Sequence, residues 1–389
     1  MDDKREHFLE FTDFLALAAL TMAPACGVAF FSLFFIRRWA LRLGLIDRPG
    51  LRKVHLAPTP LGGGVGVWLG VGLTLGVATL FLLNPSLLER LPFLPQVVRA
   101  QAVGAVLELA RLWWIFLAGT VLMVVGLIDD RRNLHWGIRL GIEAIVAAAV
   151  VLLLKIRLTA FIDLAYGGTL VSVVLSILWI MTLINVFNML DNMDGLSGGV
   201  AMIVGCMLAA AMWLTPDPDT SRPQILVAAM LFVLSGSLLG FLGHNYSPAR
   251  IFLGDAGAYF VGFFLGVATL LATFTNYQEP KPHTLLVPLC VMAVPLYDLL
   301  TVLGLRLREK RSPFAADRRH FSHRLVDLGL SKGQAVLTIY LVTATCGLAA
   351  LVLTRVNLFE AALVLCIVGC MLGLVAILES TGWWRGRGS

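Results

Sequence analysis

Five polar stretches interrupt an otherwise apolar chain, and Asp, Asn, Arg and His recur in them. The central one reads Asn185-Val-Phe-Asn188-Met-Leu-Asp191-Asn192-Met-Asp194-Gly195-Leu-Ser-Gly198-Gly199, between the apolar runs Thr169 to Leu183 and Val200 to Leu214. Asn185, Asn188 and Asn192 recur at i, i+3 and i+7, so with Asp191 they mark one stripe of a helix. A charge at mid-bilayer costs about 2.5–3.5 kcal/mol on insertion scales. No Lys or Arg lies in this stretch, so a cation from solution is the natural counter-charge. A few oxygen ligands with room for substrate phosphates are what Mg²⁺ favours. Interhelical hydrogen bonding accounts for the Asn residues but not for Asp191 and Asp194 at a glycine turn.

The other four stretches carry related chemistry. Gly126-Leu-Ile-Asp129-Asp130-Arg131-Arg132 ends an apolar run with adjacent carboxylates, which repel and call for a proton or cation partner. Pairing with Arg131 and Arg132 accounts for Asp130 better than for Asp129. In Phe252-Leu-Gly254-Asp255-Ala-Gly257, Asp255 sits between small residues at an expected helix start, as a simple cap or as a ligand that the glycines let a substrate approach. In the loop from Arg306 to Leu325, a helical backbone puts His320, His323 and Arg324 on one face, which suits a phosphate or pyrophosphate. A polybasic segment that only touches anionic lipid needs no histidine. Between Gly44 and Gly64, Arg52, Lys53 and His55 precede Pro58-Thr-Pro60 and three glycines. Backbone N–H groups at such a helix start can hold phosphate; a basic loop before a glycine-packed helix is the plain alternative. Asp298, in an apolar run after Pro295, needs a partner.

The elements that position these residues follow from composition. The chain has 389 residues, 58% hydrophobic and only 14% charged, where a soluble enzyme carries about a quarter. With a mean hydropathy of +0.86, it reads as an all-α polytopic membrane protein, one integral-membrane domain over 1–389. At about 20 apolar residues per crossing there are eleven candidate spans, near 13–36, 61–83, 113–129, 137–155, 169–190, 196–214, 223–243, 256–274, 284–305, 334–354 and 357–378. Pro288 and Pro295 should kink the ninth. The N-terminus lacks a clean signal-peptide pattern, so the first run is expected to be a retained helix. The six cysteines all fall in apolar runs and read as packing residues.

With the N-terminus outside, the inner segments hold 20 of the 30 Lys and Arg, and the C-terminus is cytoplasmic. The net charge of +6 then belongs to cytoplasmic loops rather than to nucleic-acid binding. All five loaded stretches fall on the inner side, although the topology was set by Lys and Arg alone. Residues 84–112 are expected as an outer loop with surface-helix character, and 156–168 as a short hairpin.

The motifs, in this order, resemble those of the polyprenyl-phosphate N-acetylhexosamine-1-phosphate transferases, the family that includes phospho-N-acetylmuramoyl-pentapeptide transferase. The resemblance runs from about Gly44 to Gly329. It rests on Asp47-Arg-Pro-Gly-Leu-Arg52-Lys53-Val-His55, the Asp129-Asp130 pair, the Asn-rich Asp191-to-Gly195 stretch, Phe252-Leu-Gly254-Asp255-Ala-Gly257, Pro295-Leu-Tyr-Asp298 and the Asp317 to Leu325 loop. The first and last of these look closer to the N-acetylglucosamine branch.

The resemblance implies attack of a polyprenyl (undecaprenyl) phosphate on the β-phosphate of a UDP-sugar, most simply UDP-GlcNAc. UMP leaves, and a lipid-linked sugar diphosphate starts a cell-wall or other polysaccharide. It implies Mg²⁺, with Mn²⁺ as the alternative ion, and a site on the cytoplasmic face of the inner (plasma) membrane; a homodimer is one option for assembly. Carried over by motif, Asp255 is a metal ligand with Asn188 the second, and Asp191 and Asp194 hold nucleotide or order the metal site. Phe252 stacks on uracil. Asp129 deprotonates or positions the lipid phosphate with Asp130 beside it. Lys53, His55, Arg318, Arg319, His320, His323 and Arg324 bind phosphates or sugar. Three positions depart from the family pattern: Asn192 stands where glycine is usual, Ser322 where a histidine is usual, and Ala258 where serine is common. The alternatives are the muramoyl-pentapeptide branch and, from another class, a cation-coupled transporter. A transporter wants charges near the midplane and repeated halves, and the sequence has neither.

Overall fold

A computed structural model describes residues 2–47, 58–90, 94–158, 168–215, 223–272, 274, 281–312 and 319–385. Lys53, His55 and Arg318, and most of the expected hairpin at 156–168, lie outside the described residues.

The fold is all-α apart from two short antiparallel strands, β1 (Ile46–Asp47) and β2 (Thr59–Pro60), with Ile46 opposite Pro60. The helices are α1 (Asp2–Leu43), α2 (Gly63–Leu83), α3 (Pro85–Glu89), α4 (Gln96–Arg132), α5 (Trp136–Leu153), α6 (Thr169–Leu190), α7 (Leu196–Leu214), α8 (Ile225–Asn245) and α9 (Gly254–Leu271). A 3₁₀ turn, Pro282–Leu286, leads into α10 (Val287–Val291) and α11 (Ala293–Arg308). Then come α12 (Phe321–Asp327), α13 (Lys332–Leu353) and α14 (Leu358–Arg385).

Among the described residues, ten helices are long and apolar enough to cross a membrane. An eleventh crossing is the broken pair Pro282–Val291 and Ala293–Arg308, bent by 70°. The break lies at Met292, between Pro288 and Pro295, where missing backbone N–H groups interrupt the helical ladder.

One expectation is corrected. Most of 84–112 is not a loop: α4 runs unbroken for 37 residues, so the third span begins well before 113. Arg99, Glu108 and Arg111 lower the local hydropathy without breaking the helix, because Arg and Glu both propagate helices well.

Helix α9 is the axis of the bundle, packed against α4, α6 and α2, with 89% of its apolar window buried; for α14 the figure is 11%. Small residues permit this centre. A Cβ on Gly64 would lie 2.2 Å from the backbone nitrogen of Gly257, so α2 and α9 touch backbone to backbone. Helix α8 lies along α1 and α7, and α13 covers α7. The alternating crossings bring the ends of α1, α4, α6, α8 and α11 and the starts of α2, α7 and α9 to the same end of the bundle.

Candidate functional site

The site is built on the first turn of α9, whose backbone N–H groups have no partners within the helix. Gly254 N donates to Asp191 Oδ2 (3.2 Å), Asp255 N to Asp130 Oδ1 (2.9 Å) and Ala256 N to Asp130 Oδ2 (3.4 Å). Asp130 of α4 therefore caps α9 in place of Asp255. Gly254 makes this possible: its φ is +73°, and a Cβ there would lie 2.6 Å from Asp130 Oδ2. Relieved of capping, Asp255 receives a hydrogen bond from Asn188 Nδ2 on Oδ1 (2.5 Å). Asn188 and Asp255, separated by two whole spans in the chain, thus meet side chain to side chain.

The two adjacent carboxylates divide their work in the opposite sense from the sequence reading. Asp130 spends its oxygens on α9, with no need of Arg131 or Arg132. Asp129, 3% exposed, accepts from Leu134 N (2.7 Å), Arg139 Nη1 (3.0 Å) and Tyr259 OH (2.7 Å). Neighbours in a helix point about 100° apart, so one turns toward α9's first turn and the other toward α5. Arg139 also donates to Tyr259 OH (3.2 Å). One turn along α5, Glu143, 2% exposed, accepts from Asn185 Nδ2 (2.6 Å). Arg139, Glu143 and Tyr259 escaped the sequence reading. A signal existed for Glu143, the single carboxylate in the apolar run 137–155.

The Asn stripe fans out to three partners. Asn185 reaches α5 and Asn188 reaches α9, while Asn192 lies past the end of α6. Asn192 Nδ2 donates to Met189 O (2.9 Å), and its Oδ1 accepts from Ser322 Oγ (2.6 Å). Among the described non-glycine residues only Asn133, Lys155 and Lys310 have positive φ, so Asn192 stands in the place of the usual glycine without left-handed strain. In the same turn Asp194 accepts from Ala249 N (3.0 Å), Gly195 N donates to Asn245 Oδ1 (2.8 Å) and Tyr340 OH donates to Gly195 O. Burial, and next the Asp255 carboxylate, push the Asp191 carboxyl up to about 7, although the Gly254 N–H opposes them. Such crowding of acid is what a bound cation relieves.

The glycine loop is not a phosphate cradle. Gly63 N and Gly64 N donate to Phe252 O and Leu253 O (2.9 Å each), and Phe252 N donates to Pro60 O (2.9 Å). The N–H groups that phosphate would need instead clamp the Phe252 segment against β2 and α2. Phe252 itself is half-buried beside the first turn of α9.

Across from the acidic group lies the histidine loop. Asp298, 2% exposed, contacts His320 Nδ1 through Oδ2 (2.9 Å) and accepts from Phe321 N through Oδ1 (2.6 Å). This is the partner its sequence position demanded. The His320 and His323 ring centroids are 6.5 Å apart. Arg324 does not join them as a free phosphate ligand. Its Nε donates to Glu379 Oε2 (2.9 Å), its Nη2 to Thr301 Oγ1 (3.0 Å) and its Nη1 to Arg319 O. Glu379, near the end of α14, also accepts from Tyr297 OH (2.8 Å). Arg319 makes a forked pair with exposed Glu309, at 2.5 and 2.9 Å.

Among the described residues no three His, Cys, Asp or Glu side chains are gathered closely enough to hold a metal by themselves. The donor set is nevertheless a hard-cation set: the Asp255 carboxylate touching the Asn188 carboxamide, with Asp130 and Asp191 on the same helix turn. Mg²⁺ is commonly held by one or two carboxylates with waters and substrate phosphates completing its shell, so these residues fit it.

A helical bundle with a carboxylate–carboxamide site at one end of its spans, faced by an oriented histidine, defines a membrane-embedded enzyme class that handles phosphates at the bilayer surface. Residues 112–273 match the Glycosyl transferase family 4 model. The chain is 32% identical over 344 residues to the decaprenyl-phosphate N-acetylglucosaminephosphotransferase of Mycobacterium tuberculosis, covering 84% of this chain and 79% of that protein. It is 30% identical over 319 residues to the undecaprenyl-phosphate alpha-N-acetylglucosaminyl 1-phosphate transferase of Escherichia coli, covering 80% and 77%. The chain belongs to the polyprenyl-phosphate N-acetylhexosamine-1-phosphate transferase family, and the transporter alternative falls away.

Proposed function

We propose that this protein transfers GlcNAc-1-phosphate from UDP-GlcNAc to a polyprenyl phosphate, undecaprenyl phosphate in the simplest case, releasing UMP and starting a lipid-linked glycan. The observation that carries the reading is the convergence of Asp130, Asp191, Asp255 and Asn188 on the first turn of α9 at the end of the membrane spans. The sugar assignment draws support from the two relatives, both named for N-acetylglucosamine phosphate transfer.

An oxygen of the lipid phosphate attacks the β-phosphorus of the donor. The bond from that phosphorus to the oxygen bridging the two phosphates breaks, and UMP departs with the electron pair. Lipid phosphate is already ionised near neutral pH, so the protein's task is positioning and charge neutralisation. Asp255 and Asn188 would hold Mg²⁺, or Mn²⁺, with Asp191 alongside; the ion would supply positive charge against the diphosphate. Asp130 keeps the first turn of α9 intact so that Asp255 is left for that purpose. Asp129 holds Arg139 and Tyr259 rather than acting as a base, since its oxygens already accept three hydrogen bonds. Asp194 orders the nucleotide side of the turn, and Phe252 offers a ring to uracil. Asp298 engages His320 Nδ1, leaving Nε2 for a donor phosphate, with His323 next to it. Arg324 positions this loop, and Lys53, His55, Arg318 and Arg319 are assigned, by their motifs, to phosphates or sugar.

The site belongs on the cytoplasmic side, with the N-terminus outside and the C-terminus inside. That side carries two-thirds of the Lys and Arg. The test incubates purified protein with polyprenyl phosphate and radiolabelled UDP-GlcNAc, with and without Mg²⁺. UMP and a labelled lipid should form only with the ion. Release from UDP-MurNAc-pentapeptide alone would move the chain to the other branch, and release from neither donor would sink the sugar assignment.

A further inference from the structure

Two of the positions that depart from the family pattern, far apart in the chain, touch each other. Ser322 Oγ donates to Asn192 Oδ1 at 2.6 Å, and the Ser322 side is closed to solvent, with 1% of the residue exposed. Asn192 is not free to swing, because its Nδ2 is tied to Met189 O at the end of α6. The carboxamide therefore bridges the last turn of α6 to the first turn of α12.

The bridge joins two loaded segments. Asn192 follows Asp191, which holds Gly254, and lies two residues before Asp194, which holds Ala249. Ser322 lies between His320 and His323. The histidine loop is thus fixed at Asp298 of α11 through His320 and Phe321, at Asn192 through Ser322, and at Glu379 of α14 through Arg324. Side-chain volume sets the second point. A hydroxymethyl meeting a carboxamide gives one separation between turn and loop; an imidazole at 322 needs room that only a smaller residue at 192 would leave. The two side chains share one contact, so a larger group at either position presses on the other.

We propose that Asn192 and Ser322 are a positioning pair that sets the separation between the acidic turn and the histidine loop and thereby selects which UDP-linked amino sugar is accepted. This rests on the transferase reading above. A donor whose diphosphate lies against the acidic turn presents its sugar to the loop opposite, so a shift of a few tenths of an ångström falls on the sugar.

The test is a double-mutant cycle of Asn192→Gly, Ser322→His and both together, in the full-length protein. kcat/KM is measured for UDP-GlcNAc and its C4 epimer UDP-GalNAc, alongside the melting temperature. Each single change is expected to lower kcat/KM for UDP-GlcNAc about tenfold, and the double change to recover most of that loss with an altered ratio between donors, as coupled neighbours do. Multiplicative losses, or a donor ratio that stays at the wild-type value in all three variants, would overturn the pair. Should the larger changes impair folding, Ser322→Thr keeps the hydroxyl and should keep the donor ratio, whereas Ser322→Ala should shift it; equal ratios in these two also overturn the proposal. A wild-type protein active on UDP-GlcNAc but with uncoupled variants removes this inference alone. A wild-type protein inactive on every UDP-sugar removes both this inference and the transferase reading.

Discussion

The two sides of the site are held by different kinds of bond. On the acidic side, carboxylates of α4 and of the turn after α6 accept backbone N–H groups of α9, the most enclosed helix of the bundle. On the histidine side, Asp298 also accepts one backbone N–H, that of Phe321, but most holds join side chain to side chain: Asp298 on His320, Glu379 on Arg324, Ser322 on Asn192. One anchor there, Glu379, stands on the least enclosed of the spanning helices. The N–H partners of the acidic holds move only with the first turn of α9, whereas both partners of most histidine-side holds can shift by a rotamer. The acidic side is therefore fixed by the fold, and the histidine side can be retuned by single substitutions.

That contrast can be broken or sharpened by mutation. Asp255→Asn removes a charge but no cap, so turnover should fall about 10²–10³-fold with an unchanged melting temperature; near-normal UMP release would place the chemistry elsewhere. Asp298→Asn keeps an acceptor for Phe321 N but loosens His320, and kcat should drop about 10–100-fold, as for other partners that orient a reacting imidazole. A loss equal to that of Asp255→Asn would erase the distinction between the two sides. Glu379→Gln should cost about threefold to tenfold, mostly in KM, because it weakens a charge-assisted hold on Arg324 while keeping a hydrogen bond. Arg319→Ala should change turnover by less than about threefold, since exposed ion pairs contribute roughly 0–1 kcal/mol. A large loss there would promote Arg319 from a partner of Glu309 to a substrate ligand.

Sequence reached the acidic side more fully than the histidine side, for a physical reason. Carboxylates at the ends of apolar runs are anomalous on their own, so Asp129, Asp130, Asp191, Asp194 and Asp255 announce themselves before any fold is known. Which carboxylate meets which partner depends on the direction each points around its helix, so the arginine partner falls to Asp129, through Arg139, rather than to Asp130. The choice at Gly63 and Gly64 between a phosphate cradle and a glycine-packed helix stayed open for a similar reason: a free N–H and one already spent on Phe252 or Leu253 read alike in sequence. Arg324 looked available because its partner, Glu379, lies 55 residues away, two spans further on. The family match over 112–273 stops short of the histidine loop as well. Span boundaries were legible where Gly, Pro or Asn punctuates an apolar run, and illegible in α4, where charged residues continue the helix.

The cap on α9 has a consequence for how the protein comes into being. A chain made from its N-terminus delivers α4 to the bilayer five spans ahead of α9. Through that interval Asp130 has no backbone N–H to receive, and Asp255 has not yet been synthesised. The acidic corner exists only once the two helices dock. A half-made or misassembled chain therefore carries its acidic residues as separate, hydrated groups at the membrane surface, and the enzyme becomes competent only as its central helix arrives.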